Sequence, residues 1–241
     1  MNNLKGVGVA LVTPFNEDLS VDFDSLTRLI EYNIENGTNY LVVLGTTAEA
    51  ATLSKEEKKE VIKHVIKINS KRLPLVLGIG GNNTLEVKKQ IEETDLSDFD
   101  AVLSVSPYYN KPNQEGLYQH YKALAETGKQ IIIYNVPGRT GQNIEAATTV
   151  RLAKEFPNLF MIKEACPNIN QYFDILRKKP AGFSLVSGDD EYALPVTLAG
   201  GDGVISVIGQ GYPKEFSTML QFAFEGKIKE AYEIHNKLVE I

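Results

Sequence analysis

The sequence predicts one α/β domain, a closed (β/α)8 (TIM) barrel, and three observations support this fold class. The chain has 241 residues, about the length of one such barrel. Eight short apolar segments recur along it, and stretches with helical periodicity separate them. Several of these segments are apolar on both faces, as in parallel strands covered on both sides. A doubly wound open sheet shows the same alternation and is the alternative.

The eight predicted strands are short and rich in branched apolar residues. The runs at residues 41–44 and 131–133 are continuously apolar, which is typical of fully buried strands. Strands are expected at residues 6–15, 40–46, 73–79, 99–106, 130–135, 159–163, 183–187 and 203–208. Because active sites of such barrels lie at the C-terminal ends of the strands, the polar residues that follow each run are the first candidates for function.

The segments between the strands carry helix signals. Leu26 and Ile30 belong to an apolar stripe, and Gly37 follows it as a C-terminal cap. Ser54 and Glu57 form an S-x-x-E capping box that satisfies free N–H groups at the start of the next helix. These signals place helices after the first and second strands, as the barrel requires.

Composition excludes several other classes of protein. The net charge is −6 and basic residues are dispersed, so no nucleic-acid partner is expected. No apolar run approaches the ~20 residues of a membrane-spanning helix, and none resembles a signal peptide. Cys166 is the single cysteine, which excludes an internal disulfide and favours a cytoplasmic location. Three dispersed histidines offer no metal-binding spacing, and no metal site is expected.

Lys163 is the leading catalytic candidate. It ends the apolar run at residues 159–162. Burial disfavours the ammonium form and lowers a lysine pKa, and the neutral amine can attack a carbonyl to form an imine. The structural alternative is a lysine that pairs with Glu164 or extends its charged end to the rim of the barrel.

Other polar residues follow neighbouring strands. Tyr134 ends the fifth strand and can relay protons, and Thr46 and Thr47 follow the second strand and offer donors for a carboxylate. Arg139 lies in a loop shaped by glycine and proline and can grip a carboxylate with two hydrogen bonds. The alternative is ordinary packing, in which buried hydroxyls satisfy each other and the arginine lies on the surface.

Six segments carry a family resemblance and span most of the chain in order. They are ALVTPF (10–15), GTTAE (45–49), PYYNKP (107–112), YNVPGRTG (134–141), IKEA (162–165) and SGDD (187–190). Together they resemble the dihydrodipicolinate synthase branch of the pyruvate-dependent aldolase (N-acetylneuraminate lyase) family. The resemblance implies a TIM barrel that condenses pyruvate with L-aspartate 4-semialdehyde in the diaminopimelate–lysine pathway, without a metal or organic cofactor.

The resemblance also implies residue roles. Lys163 would form the imine with pyruvate, and Tyr134 would shuttle protons through Thr46 to Tyr109, which in the family comes from a neighbouring subunit. The chain is therefore expected to form a homo-oligomer, a dimer or tetramer. The substrate-binding residues implied are Thr47 for the pyruvate carboxylate, Arg139 for the semialdehyde carboxylate, and Gly188 and Ile205 for backbone contacts.

Arg139 favours the synthase over the sialic-acid lyases, whose polyol substrate has no short aldehyde carboxylate at this position. Another aldolase or lyase of the family is one alternative, and a barrel that only binds a carboxylate ligand or a partner is the other. The second alternative is motivated by departures from the family pattern: Ala48 stands where glycine is usual, and Cys166-Pro167 follows IKEA.

Two further features differ among family members. Lysine inhibits some synthases, and the corresponding positions here are Ala51, Asn82, Glu86 and Tyr108. Family members also usually continue for about fifty residues as a C-terminal helical region. We therefore expect a catalytic barrel over residues 1–226, and residues 227–241 to be the start of a helical region that is largely absent.

Overall fold

The computed structural model describes residues 4–241, and it confirms the predicted barrel. Eight parallel strands pair in chain order and the eighth pairs with the first, so the sheet is closed and the open doubly wound alternative is wrong. The strands are β1 (Gly6–Ala10), β2 (Tyr40–Val43), β3 (Leu75–Gly78), β4 (Ala101–Val105), β5 (Ile131–Asn135), β6 (Leu159–Glu164), β7 (Ser184–Ser187) and β8 (Gly203–Ser206).

Helices surround the barrel and connect its strands. They are α1 (Phe23–Glu35), α2 (Lys55–Asn69), α3 (Thr84–Glu93), α4 (Gln114–Ala125), α5 (Pro137–Thr140), α6 (Ala146–Glu155), α7 (Ile169–Lys178), α8 (Ala193–Leu198), α9 (Pro213–Phe224) and α10 (Ile228–Val239). The capping box at the start of α2 is confirmed, since Ser54 accepts from the Glu57 N–H and Glu57 accepts from the Ser54 N–H. Gly37 follows α1 with φ of 90°, as the cap prediction requires.

Two apolar layers follow from the alternation of side chains along each strand. Val42, Ile132 and Met161 belong to the layer inside the barrel. Val43 and Ile162, one residue further along their strands, belong to the layer between the barrel and the helices. Alternate side chains of a strand therefore point into the barrel or toward the helices. Only polar side chains that point into the barrel at the end of a strand reach the mouth.

Several strands end earlier than the sequence predicts. The first was expected to reach residue 15 but ends at Ala10, and Phe15 instead forms an antiparallel bridge with Val21. The second was expected to reach residue 46 but ends at Val43, and Thr46–Ala48 form a 3-10 turn. Apolar residues continue past these strand ends because the chain stays in the buried layer between the barrel and the helices after the last strand pair. Leu11 and Leu44, for example, are buried.

The C-terminal helix packs against the barrel's outer helices. α10 contacts α9 and α8, and its buried residues are Ala231 and Leu238. The expected domain boundary at residues 226/227 falls at the turn between α9 and α10, where Gly226 has φ of 75°. Across residues 4–241, each helix is too short or too polar to cross a lipid bilayer.

Candidate active site

Lys163 points into the barrel from the C-terminal end of β6. It is 4% exposed, and its Nζ lies 4.5 Å from the centre of the Tyr134 ring on β5. Glu164 is the next residue of the strand, so its side chain points the opposite way, toward the helices. There it accepts a hydrogen bond from Gln171 of α7. The alternative of a Lys163–Glu164 pair is therefore wrong.

Burial sets the protonation of Lys163. Removal of the amine from water lowers its pKa to about 8. The negative charge of Asp190 acts in the opposite direction, and the positive charge of Arg139 adds to the lowering. At pH 7 about a tenth of the amine is therefore unprotonated, which is the form that attacks carbonyls.

Gly188 provides the wall against which Lys163 lies. A Cβ at position 188 would lie 2.8 Å from Cε of Lys163 and 2.8 Å from Cβ of Ala165, closer than packed carbon atoms approach. The Gly188 N–H also donates to the Glu164 carbonyl at 2.6 Å, which joins the end of β7 to β6. Glycine is needed here because two neighbouring strands and the lysine side chain meet at this point.

Tyr134 and Thr46 meet at the same mouth. Tyr134 is 6% exposed, and burial raises the pKa of its phenol. Polar contact with the Thr46 side chain and the charge of Arg139 act in the opposite direction. The approach of the two hydroxyls is not a well-aligned hydrogen bond, but it brings together two members of the predicted proton relay.

The threonine pair lies on a strained turn after β2. Leu44 and Glu49, on either side of the turn, both have left-handed backbones, with φ of 54° and 53°. Ala48 itself does not have positive φ and is buried, and its carbonyl accepts from the Thr13 hydroxyl at 2.8 Å. Its methyl group is therefore accommodated, and the turn keeps Thr46 exposed and Thr47 half-buried.

Arg139 reaches the mouth from the loop between β5 and α6. It lies on the single-turn helix α5, which begins with Pro137 and is followed by Gly141 at φ of 70°. The guanidinium is exposed, yet its charge lowers the pKa of both Lys163 and Tyr134. Its positive charge therefore acts at the mouth, on the two groups that the predicted chemistry uses.

The remaining predicted residues lie in the barrel interior or on the surface. Ile205 of β8 is fully buried in the inner layer. Tyr109 is 90% exposed with φ of 73°, so within this chain its ring is presented outward. The positions predicted for lysine inhibition are all exposed, and their role stays a prediction: Ala51, Asn82, Glu86 and Tyr108.

Asp190 is a site residue whose role the sequence did not indicate. One carboxylate oxygen accepts from the N–H groups of Val207 and Ile208, both at 3.0 Å. The other oxygen is buried and has no hydrogen-bond partner among the described residues. The SGDD segment contains this aspartate, but its spacing gave no sign that the charge of the carboxylate acts on Lys163.

A buried amine beside a tyrosine, at the C-terminal mouth of a (β/α)8 barrel, defines a class of enzyme: the Schiff-base-forming aldolases and lyases. Residues 3–241 match the model of the dihydrodipicolinate synthetase family. The chain belongs to this family and is an enzyme of the lyase class.

Curated and solved relatives agree with this assignment. The 4-hydroxy-tetrahydrodipicolinate synthase of Flavobacterium psychrophilum is 57% identical over 97% of this chain and 80% of its own length. The pyruvate complex of a chloride-inhibited dihydrodipicolinate synthase from Acinetobacter baumannii is 44% identical with a TM-score of 0.93, covering 97% of this chain and 80% of that one. A monomeric dihydrodipicolinate synthase variant is 39% identical with a TM-score of 0.93, covering 97% and 79%.

Proposed function

We propose that this protein condenses pyruvate with L-aspartate 4-semialdehyde through an imine on Lys163, the reaction of 4-hydroxy-tetrahydrodipicolinate synthases. One observation carries the proposal: a lysine that is 4% exposed, with a lowered pKa, lies 4.5 Å from the ring of a buried tyrosine at the barrel mouth. The same arrangement gives the amine both its nucleophilic form and a neighbouring proton donor.

The chemistry proceeds through one covalent intermediate. The Lys163 amine attacks the keto carbon of pyruvate, and Tyr134 donates a proton as water leaves and the imine forms. The imine acidifies the methyl group, and the Tyr134 phenolate left by the first step takes up the methyl proton. The resulting enamine carbon attacks the aldehyde carbon of the second substrate, and Tyr134 returns the proton to the aldehyde oxygen. The amino group of that substrate then attacks the imine carbon, which closes the ring and releases Lys163.

Each remaining polar group has a proposed role in binding or proton transfer. Thr47 and backbone groups of Gly188 and Ile205 hold pyruvate against the lysine. Arg139 binds the semialdehyde carboxylate with two parallel hydrogen bonds. A short aldehyde that carries a carboxylate explains this exposed arginine better than a long polyol does.

We also propose that a second copy of the chain completes the proton relay. Tyr109 is 90% exposed in its own chain, so it is available to reach Thr46 of a neighbouring copy. A homo-oligomer, dimer or tetramer, follows from this role, and a cytoplasmic location agrees with a single buried free cysteine.

Reductive trapping tests the proposal. The protein is incubated with pyruvate and borohydride, digested and analysed by mass spectrometry. We expect one reduced pyruvate adduct, on Lys163, and turnover when the semialdehyde replaces borohydride. An unmodified Lys163 would exclude the imine mechanism, and an adduct without turnover would assign the site to another aldehyde.

Asp190→Asn should change the pH dependence of imine formation. The negative charge of Asp190 raises the pKa of Lys163, so its removal lowers that pKa further. The free amine then persists to lower pH. The acid limb of the pH profile, where the trapping rate falls as the amine becomes protonated, should therefore move to lower pH. The measurement is the rate of pyruvate trapping between pH 5 and 9. Asparagine can keep both backbone hydrogen bonds by turning its oxygen toward Val207 and Ile208.

Asp202→Asn is the matched control. Asp202, like Asp190, accepts a hydrogen bond from a backbone N–H, that of Leu185 at 3.0 Å, but it directly precedes β8 at the other end of the barrel. This variant should leave the acid limb where it is. An unchanged or upward-shifted limb in Asp190→Asn would contradict the assigned electrostatic role.

A further inference from the structure

A buried polar network lies behind the catalytic lysine, on the outer face of β6. Glu164 is fully buried, and its carboxylate accepts three hydrogen bonds. The donors are the side chain of Asn135 at 2.7 Å, the N–H of Cys166 at 2.8 Å and the side chain of Gln171 at 2.9 Å. All three donors are neutral, and burial raises the pKa of Glu164 to about 7. Holding a carboxylate here is costly, and the imine mechanism itself does not use it.

The network closes the loop that carries Arg139. Asn135, just before the loop, donates to Oδ1 of Asn143 at 2.8 Å and accepts from the Ile144 N–H at 2.9 Å. Gln171 donates to the same Asn143 oxygen and to the Ile144 carbonyl, both at 3.1 Å. Residues 136–143 are thus tied together at their two ends, and Arg139 lies in the middle.

Glu164 joins this closed loop to the catalytic strand. It binds both Asn135 and Gln171, the two residues that hold the loop ends, and it directly follows Lys163 in β6. The backbone pairing of β5 with β6 already holds the Asn135 end of the loop beside the catalytic strand. What the carboxylate adds is a link to the far end of the loop, through Gln171 and its bonds to Asn143 and Ile144.

We propose that Glu164 is a positioning residue for recognition of the aldehyde substrate: its buried carboxylate holds the Arg139 loop at the spacing from Lys163 that the second substrate requires. The proposal rests on the proposed function of Arg139 as the ligand of the semialdehyde carboxylate. It assigns Glu164 no contact with substrate.

The three groups that surround Glu164 all donate hydrogen bonds to it, so both oxygens of its carboxylate must act as acceptors. In Glu164→Gln one of the two oxygens becomes an NH2 group that faces a donor. If it faces Gln171, that amide must turn over, and its bonds to Asn143 and Ile144 are lost. The substitution keeps the size of the side chain but releases an end of the Arg139 loop.

The test compares condensation with pyruvate trapping in Glu164→Gln. At saturating pyruvate we expect the KM for the semialdehyde to rise about 10- to 100-fold, because a displaced binding group loses its alignment. The kcat and the rate of borohydride trapping with pyruvate should change by less than about threefold, since Lys163 and Tyr134 lie on the inner face. Equal losses in trapping and condensation would overturn the proposal.

A double variant separates positioning from general damage. If Glu164 acts through Arg139, then Glu164→Gln combined with Arg139→Ala should lose no more condensation than Arg139→Ala alone. If the loss of condensation in the double variant is instead the product of the losses in the two single variants, the proposal is refuted. If the wild-type protein condenses the substrates while Glu164→Gln keeps the wild-type KM, this inference fails and the proposed function stands. If the wild-type protein forms no pyruvate adduct, the proposed function itself fails.

Asn143→Ala provides a second variant if Glu164→Gln does not fold. It leaves the three hydrogen bonds to Glu164 in place and removes the bonds that join the Asn143 side chain to Asn135 and Gln171. The backbone bonds of Ile144 to the same two residues remain, so a smaller rise in KM, of about 3- to 10-fold, is expected. Asn158→Ala is the control: its side chain also ties loops together, through the carbonyls of Ala125 and Lys129, but just before β6 at the other end of the barrel. The control should keep the wild-type KM, and an unchanged KM in Asn143→Ala would also overturn the proposal.

Discussion

Lys163→Met should abolish the reductive trapping of pyruvate and reduce kcat for condensation by at least about 10⁴-fold, as removal of a covalent nucleophile commonly does. Methionine has nearly the length of lysine and fills the same space between Tyr134 and Gly188, so the barrel mouth keeps its shape. The loss of activity is therefore due to the missing amine and not to a change in the shape of the site. Mass spectrometry after borohydride treatment and steady-state kinetics measure the two effects.

The same variant should be more stable than the wild-type protein. Burial lowers the pKa of Lys163 from 10.5 to about 8, and this difference corresponds to about 3 kcal/mol of unfavourable interaction with the protonated amine. Because the unfolded chain binds the proton more tightly, the penalty is fully present below pH 8. It disappears as pH rises through 10.5. Lys163→Met should therefore raise the free energy of unfolding most at pH 6 to 7 and little at pH 10.

Urea unfolding of both proteins at the two pH values measures this gain. Lys59→Met is the matched control, because Lys59 is exposed on α2 and its replacement should change stability by less than about 0.5 kcal/mol. A Lys163→Met protein that is less stable at pH 6 would mean that the amine makes favourable buried contacts. A retained pyruvate adduct in that variant would mean that another lysine is the nucleophile.

Arg139→Ala should separate the two half-reactions. Pyruvate trapping on Lys163 should persist, whereas kcat/KM for the semialdehyde should fall by about 100- to 1,000-fold, the value of two charged hydrogen bonds to a carboxylate. The positive charge also lowers the pKa of Lys163, so its removal raises that pKa. The acid limb of the trapping rate should consequently move to higher pH, opposite to the shift expected for Asp190→Asn.

Two other arginine variants complete this experiment. Arg139→Lys keeps the charge without the forked geometry, so it should keep the wild-type acid limb and recover only part of the condensation. Arg151→Ala removes an exposed arginine that pairs with Glu115 and Glu155 on the outer helices, and it should leave both half-reactions unchanged. Condensation at the wild-type rate in Arg139→Ala would refute the role of Arg139 as the ligand of the semialdehyde carboxylate.

The barrel was predictable because apolar alternation depends on local sequence. Each strand core was located correctly, but the ends of β1 and β2 were not, since residues such as Leu11 and Leu44 lie in the buried layer between the barrel and the helices and continue the apolar pattern past the last strand pair. A one-dimensional pattern reports burial and does not distinguish a strand from the buried connection that follows it.

The residues near the amine were predictable in part. Lys163, Tyr134 and Arg139 were found from their places after strands and from the family resemblance, and the structure brings them to one mouth. Glu164 was considered as an ion-pair partner of Lys163, although the two-residue period of a strand places neighbours on opposite faces. The partners of Glu164 come from β5, the Arg139 loop and α7, and contacts between such distant segments leave no signal in a single sequence.

The missing side chain at Gly188 has a consequence for the rate of reaction. The alkyl chain of Lys163 lies against that bare backbone, so it has little freedom to swing. A free lysine loses up to ~2 kcal/mol of rotational freedom when its end is fixed in one place. Here the side chain becomes ordered when the protein folds, so a keto acid binds next to an amine that is already oriented for attack.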